Sequence, residues 1–266
     1  MRRLVEQSAG RLMTFVAWNP IRPNDLALIR DTVTSGGAIG VKFYPPNGYR
    51  ASDPVNTPLW ELCTANDVPV FTHCTPHGFE ARPGSGLNAD PRFWAPVLDA
   101  HPSVRLCFGH AGGEAGWFDR YDDIEPDFER SYAKAVIDLC ANHERVYCET
   151  GYLSHILDPQ LGPRFIERLA REIAAAPRLA DRVMYGTDWH LITKVGGYRM
   201  YFETFRDLLA ASPLSALAPQ FFYTNAVEFL NLPGFVARQS TSEQFDVSAV
   251  APHLEQVTKQ AQELAR

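Results

Sequence analysis

Six short apolar segments rich in β-branched and aromatic residues recur along the chain, separated by longer segments with helical periodicity. They lie near residues 12–18, 38–44, 68–74, 104–110, 145–149 and 183–188. Short apolar runs bounded by Gly or Pro are typical of buried parallel strands. From the third segment onward they recur about every 40 residues, the length that a strand, a helix and the two connections between successive strands require. The pattern predicts a parallel α/β sheet of barrel type.

The segments between these strands predict helices on the outside of the sheet. Apolar residues at helical spacing follow Asn24 and Thr57, both candidate N-caps, and occur again over 128–141 and 163–174. No low-complexity break divides residues 10–232, and the pattern loosens only after Pro233-Gly234. We therefore expect a barrel-like domain over 1–234 and a C-terminal extension over 235–266, helical in its polar last part.

Polar residues that can bind a metal or move a proton end several of the predicted strands. Three of these strands end in His73, His110 and Asp188, a fourth ends in Glu149, and the second carries Lys42. The carboxyl ends of parallel barrel strands meet at one face, where such folds build active sites. A lysine in this position is costly to bury alone. We expect it to pair with Glu149 or Asp188, or to bind a substrate anion, and the ion pair is favoured; a salt bridge is likewise the structural alternative for Glu149.

The connections after the strands supply further candidates. Residues 75–90 follow the His73 strand and 112–127 follow the His110 strand, and both are longer than an ordinary turn. Loops after barrel strands form the substrate face, although glycine and acidic residues are equally common in solvated loops. His77 and His190 lie just past their strands, and we expect their side chains to be exposed.

Composition and charge exclude several classes of function. The chain is 45% hydrophobic and 21% charged, with a formal net charge of −6. An acidic balance provides no electrostatic surface for nucleic acid or anionic membranes. The five cysteines show no C-x-x-C spacing, and no secretory or membrane-spanning segment is apparent. These features predict a cytoplasmic protein.

Several motifs resemble the amidohydrolase-2 branch of the amidohydrolase superfamily, which includes aminocarboxymuconate-semialdehyde decarboxylase and related hydrolases. The matching segments, in the family's order, are Gly40-Val-Lys-Phe-Tyr-Pro-Pro46, Val68-Pro-Val-Phe-Thr-His73, Gly109-His-Ala-Gly-Gly113, Tyr185-Gly-Thr-Asp-Trp189 and Asn225-Ala-Val-Glu-Phe-Leu-Asn-Leu232. The resemblance implies a TIM-type (β/α)8 metal-dependent hydrolase barrel.

The resemblance also implies roles for individual residues. It makes His73 and Asp188 metal ligands, with zinc the expected divalent ion, and it makes His110 and Asp188 the catalytic pair. We add Lys42, Glu149 and His77 as candidate substrate-binding residues. The implied activity is hydrolysis of a small-molecule C–N or C–O bond, and non-oxidative decarboxylation is the alternative within the same family.

One family feature is missing from the sequence. None of the eight histidines forms the His-x-His pair that the family carries on its first strand. We therefore expect a barrel lacking its first two strands, weak metal binding, and a homo-oligomer or a partner chain that completes the barrel. A non-catalytic scaffold, a split enzyme and a chain with a mis-assigned start are further hypotheses.

Overall fold

The computed structural model describes residues 2–265 and shows one parallel sheet. Its six strands are hydrogen-bonded in sequence order, β1 to β6. They are β1 (Phe15–Ala17), β2 (Gly40–Phe43), β3 (Val70–Thr72), β4 (Leu106–Phe108), β5 (Val146–Glu149) and β6 (Val183–Met184). Every neighbouring pair is parallel. All six predicted strands are confirmed, each shorter than its apolar segment.

Helices connect and flank the strands. In chain order they are α1 (Arg2–Gln7), α2 (Asp25–Thr34), α3 (Thr57–Ala65), α4 (Ala95–Ala100), α5 (Glu114–Phe118), α6 (Tyr132–Asn142), α7 (Gly162–Ala175), α8 (Trp189–Ile192), α9 (Tyr198–Ala210), α10 (Asn225–Leu230), α11 (Leu232–Gln239) and α12 (Ala251–Leu264). None of the helices within residues 2–265 is long and apolar enough to cross a membrane.

Helix starts differ from the prediction where local capping decides. The helix expected over 128–141 begins at Tyr132, because the hydroxyl of Ser131 accepts a hydrogen bond from the backbone N–H of Lys134 at 3.1 Å. Asn24 was expected to cap α2, but it adopts a left-handed conformation and its side chain makes no cap hydrogen bond. Thr57 is the first residue of α3 rather than its cap.

The two faces of the sheet bury different residues because side chains alternate along each strand. One face packs against the helices and holds Val41, Val70 and Leu106 in the main core. The other, inner face carries Phe71, Cys107 and Tyr147, which are in register across three strands. Helix α10 covers part of this inner face: the ring of its Phe229 lies 5.6 Å from that of Tyr147.

The amino ends of the strands form a polar base. Asp67, just before β3, pairs with Arg145 and, at 3.2 Å, with Arg105. Its carboxylate also accepts a hydrogen bond from the side-chain amide of Asn231, between α10 and α11, at 2.8 Å. The C-terminal helices α11 and α12 contribute Phe235 and Leu254 to an apolar cluster that is separate from the main core. At the opposite end of the sheet, the connecting loops surround the carboxyl ends of the strands.

Candidate functional site

Strand alternation aims the polar residues into the concave side of the sheet. A residue two positions after an inner-face residue points to the same face. Phe71 and Tyr147 lie on the inner face, so the geometry directs His73 and Glu149 the same way. Lys42 is in register with Phe71 and belongs to this row. The predicted residues therefore share one end and one side of the sheet.

These side chains line a cavity of about 750 Å³. All of the predicted site residues contribute to its wall, namely Lys42, His73, His77, His110, Glu149 and Asp188. The wall also includes aromatic side chains, namely Tyr44, Phe71, Phe79 and Tyr152. The structure thus brings the whole predicted set to one place, and their chemical roles remain proposals.

The two strand-end histidines contact each other directly. The Nε2 atom of His110 lies 3.1 Å from the Nδ1 atom of His73. On its far side, Nδ1 of His110 lies 2.7 Å from the carbonyl oxygen of Gly151. Likewise, Nε2 of His73 lies 3.0 Å from the carbonyl oxygen of His77. The two rings form a chain of hydrogen bonds between two backbone carbonyls.

The partners determine where the protons lie. A carbonyl oxygen only accepts, so Nδ1 of His110 and Nε2 of His73 each carry a hydrogen. Burial and the neighbouring His110 lower the pKa of His73 to about 3, so the His73 ring is neutral and its Nδ1 accepts. Nδ1 of His73 therefore faces Nε2 of His110 as an acceptor. This arrangement places two contacting imidazole rings, groups that can hold or move a proton, at the cavity wall.

Asp188 lies on the same wall, at the start of α8. Its carboxylate oxygen Oδ1 is 3.1 Å from Nδ1 of His190, and the His190 side chain is 57% exposed, as expected. The backbone of Asp188 has a φ of 47°, and the cavity residues His110 and Tyr152 also have positive φ, as does the buried Ala111 beside His110. Non-glycine residues held in this region cost about 1–3 kcal/mol each and cluster at functional sites. This cluster of strained residues therefore supports a functional site at this end of the sheet.

Among the described residues, Glu149 has no salt-bridge partner, although a salt bridge was its structural alternative. Its Oε1 accepts the backbone N–H of His110 at 2.9 Å, and its Oε2 accepts the backbone N–H of Gly151 at 2.7 Å. The side chain is buried. The carboxylate is satisfied by two backbone donors instead of a cation.

Lys42 also departs from the favoured expectation. Within residues 2–265, no carboxylate lies within ion-pair distance of its ammonium group. The ammonium lies 4.2 Å from the centre of the Phe71 ring. Burial lowers the pKa of Lys42 to about 8, opposed by the more distant charge of Glu149. The expected ion pair is wrong, because Glu149 is already occupied and Asp188 pairs with His190.

Both long loops reach the cavity. The first presents Phe79, whose side chain is 77% exposed, and His77, whose side chain is 71% exposed and lies 3.7 Å from Asp122 of the second loop. The second loop adds Glu114, which accepts the backbone N–H of His155 at 2.9 Å. Sequence reasoning missed Tyr44, although its position two residues after Lys42, just past the end of β2, indicates it.

The residues present do not assemble a metal centre in this arrangement. Both ring nitrogens of His73 are engaged, one with His110 and the other with a backbone carbonyl. No group of three His, Cys, Asp or Glu side chains with metal-binding spacing occurs in the described part of the chain. A catalytic zinc site usually has three protein ligands. Coordination by His73 and Asp188 therefore remains a prediction from the resemblance.

The fold and site together define an α/β protein of the TIM-barrel type with polar residues at the carboxyl ends of its strands. The amidohydrolase family model matches residues 1–232. The chain therefore belongs to the amidohydrolase family, in the amidohydrolase-2 branch that its motifs resemble. Among curated proteins, none matches the sequence.

Solved structures share this fold at low sequence identity. The 5-carboxyvanillate decarboxylase LigW from Sphingomonas paucimobilis aligns with a TM-score of 0.59 and 15% identity, over 87% of this chain and 70% of that one. An amidohydrolase from Burkholderia multivorans with bound zinc aligns with a TM-score of 0.60 and 17% identity, over 86% and 76%. A dihydroxybenzoic acid decarboxylase from a Polaromonas species, with manganese and the inhibitor 2-nitroresorcinol, gives 0.57 and 18%, over 87% and 73%.

Proposed function

We propose that this chain is an enzyme that removes the carboxylate of a small aromatic acid without oxidation. The observation that carries the proposal is that Lys42, which has no ion pair among residues 2–265, and the ring of His110 line one cavity together with several aromatic side chains. Cavities of this kind bind small molecules through apolar surface and a few oriented polar groups.

The substrate class follows from the wall chemistry. A partly buried ammonium group favours an anionic partner, because desolvation is costly unless the charge is paired. The rings of Tyr44, Phe71, Phe79 and Tyr152 suit a flat apolar body. Two of the solved structures with this fold are named decarboxylases of aromatic acids. Their names support the same class of substrate here.

The reaction can be written for this chain's own side chains. Lys42 pairs with an anionic oxygen of the substrate and holds it against the wall. The proton on Nε2 of His110 leaves its contact with His73 and moves to the ring carbon that bears the carboxylate. The bond from this carbon to the carboxylate then breaks, and carbon dioxide leaves as the electron pair of that bond restores the ring. His110 then regains a proton from solvent. Before substrate binds, the neutral His73 accepts from Nε2 of His110 and so keeps this nitrogen directed into the cavity.

Hydrolysis of a C–N or C–O bond is the second candidate, and Asp188 favours it. This carboxylate lines the cavity, is 20% exposed and lies 3.1 Å from Nδ1 of His190. A carboxylate so placed can accept a proton from an attacking water. A divalent ion, zinc by the resemblance, would belong to this candidate; the steps above use none, since the described donors do not assemble a site for it.

A mass-spectrometric screen separates the two reactions. The purified chain is incubated with hydroxybenzoic acids and with lactones and amides of similar size, and products are examined for loss of carbon dioxide or gain of water. We expect carbon dioxide loss from at least one hydroxybenzoic acid, abolished in His110→Gln and retained in His253→Gln, a control on α12. Gain of water alone would favour hydrolysis, and no conversion of any compound would support the scaffold hypothesis.

A further inference from the structure

The least expected arrangement in the site surrounds Glu149. A buried carboxylate next to a catalytic centre is ordinarily a base, a ligand or half of an ion pair. Here each oxygen accepts one backbone N–H, from His110 at 2.9 Å and from Gly151 at 2.7 Å. These donors belong to two different loops, one after β4 and one after β5. The carboxylate therefore ties the two loops together.

The tie extends to the catalytic ring. The Gly151 residue whose N–H is held by Glu149 uses its carbonyl oxygen to accept from Nδ1 of His110 at 2.7 Å. Glu149, His110 and Gly151 thus form a closed circuit of hydrogen bonds, two through backbone N–H groups and one through the imidazole. The circuit fixes both the left-handed backbone of His110 and the orientation of its ring.

The neighbouring strand makes room for this carboxylate. A Cβ atom built on Gly186, just after β6, would overlap Oε2 of Glu149. A glycine therefore stands where the Glu149 carboxylate passes closest to the backbone. The glycine in Tyr185-Gly-Thr-Asp188 is explained by the space that Glu149 occupies, since its backbone has no positive φ that would require it.

We propose that Glu149 is a positioning residue that holds His110 in its proton-donating orientation, and that it is neither a substrate ligand nor a base. This inference rests on the proposed function only for the purpose that it assigns to His110. It replaces the substrate-binding role expected from the sequence, because both carboxylate oxygens already have donors. The expected consequence is an imidazole Nδ1–H that is held on Gly151 with or without substrate.

The unmodified protein provides the first test. Hydrogen exchange followed by NMR reports on the backbone amides of His110 and Gly151, which lie in loops and have no partner other than Glu149 in the described structure. We expect both amides to be protected, together with a slowly exchanging Nδ1–H of His110. Exchange of both amides at the rate of free loop amides would overturn the proposal without any variant.

A pair of matched substitutions provides the second test. Glu149→Gln puts an amide NH₂ opposite one backbone N–H, so one of the two bonds is lost. Glu114→Gln is the control: Glu114 lines the same cavity, but it accepts from the Ser154 hydroxyl and the His155 N–H on one oxygen, which a glutamine carbonyl can keep. We expect exchange of the His110 Nδ1–H and of one amide to speed up by about tenfold or more in Glu149→Gln only.

The outcomes separate this proposal from the proposed function. An unchanged Nδ1–H signal in folded Glu149→Gln, or an equal loss in Glu114→Gln, would overturn the positioning role. The NMR signals need no substrate, so the result stands even if no compound is converted. Where a substrate is found, Glu149→Gln should lower kcat and leave KM nearly unchanged, because the substrate contacts are retained.

Discussion

Replacing Lys42 with methionine should make the protein more stable and a poorer binder of anions. Methionine keeps the length of the side chain and its contact with Phe71 but removes the charge. Burial lowers the pKa of Lys42 from 10.5 to about 8. At about 1.4 kcal/mol for each tenfold change in proton affinity, the charged form is disfavoured in the folded chain by roughly 3 kcal/mol. We therefore expect Lys42→Met to raise the free energy of unfolding by about 1–3 kcal/mol at pH 7.

The dependence on pH gives the sign of the effect. Because folding lowers this pKa, the unfolded chain binds more protons at Lys42 than the folded chain between pH 8 and 10.5. As the pH rises through this window, the free energy of unfolding of the wild-type chain should therefore increase relative to that of Lys42→Met. Above pH 10.5 residue 42 is neutral in both chains, and the stability difference that the Lys42 charge causes should vanish.

Anion binding should change in the opposite direction. An ammonium–carboxylate contact inside a cavity contributes about 1.5–3 kcal/mol, so benzoate affinity should fall roughly tenfold to hundredfold in Lys42→Met. Denaturant titration measures the stability and calorimetric titration with benzoate measures the affinity, with Lys194→Met as the control on an exposed lysine. A variant that is less stable at pH 7, or that binds benzoate as tightly as wild type, would refute this account of Lys42.

Three further results are expected. Gly186→Ala should destabilise the fold by about 1–3 kcal/mol in thermal unfolding, because its methyl group meets the Glu149 carboxylate; an unchanged midpoint would be inconsistent with that packing. Phe79→Ala should weaken binding of an aromatic acid several-fold by calorimetry, whereas Ile21→Ala, equally exposed but outside the cavity wall, should not. Elemental analysis should find well below one zinc per chain; one tightly held zinc, lost in His73→Ala, would contradict this.

The strands and the location of the site could be predicted from the sequence because both depend on short-range pattern. Six apolar segments and their spacing were sufficient for a parallel sheet in sequence order. Polar residues at the carboxyl ends of such strands must meet, and His73 and His110 do, at 3.1 Å. Likewise, the alternation that places Phe71 on the inner face also places His73 there.

The partners of the charged groups could not be predicted in the same way. Pairing Lys42 with Glu149 was reasonable from charge alone, but Glu149 is satisfied by backbone N–H groups whose positions depend on left-handed residues in two loops. Loop conformation of this kind depends on tertiary contacts, such as the space beside Gly186, rather than on periodicity. The helix expected over 128–141 is present but starts at Tyr132, since the cap at Ser131 outweighs the apolar spacing before it.

The most direct test of the central claim is deuterium incorporation during decarboxylation. A hydroxybenzoic acid that loses carbon dioxide in the screen is incubated with the chain in deuterium oxide, and the product is analysed by mass spectrometry and NMR. The account predicts one deuterium on the carbon that carried the carboxylate, with formation of this product abolished in His110→Gln and intact in His253→Gln. Carbon dioxide loss that continues in His110→Gln, or the absence of loss from every acid tested, would contradict it.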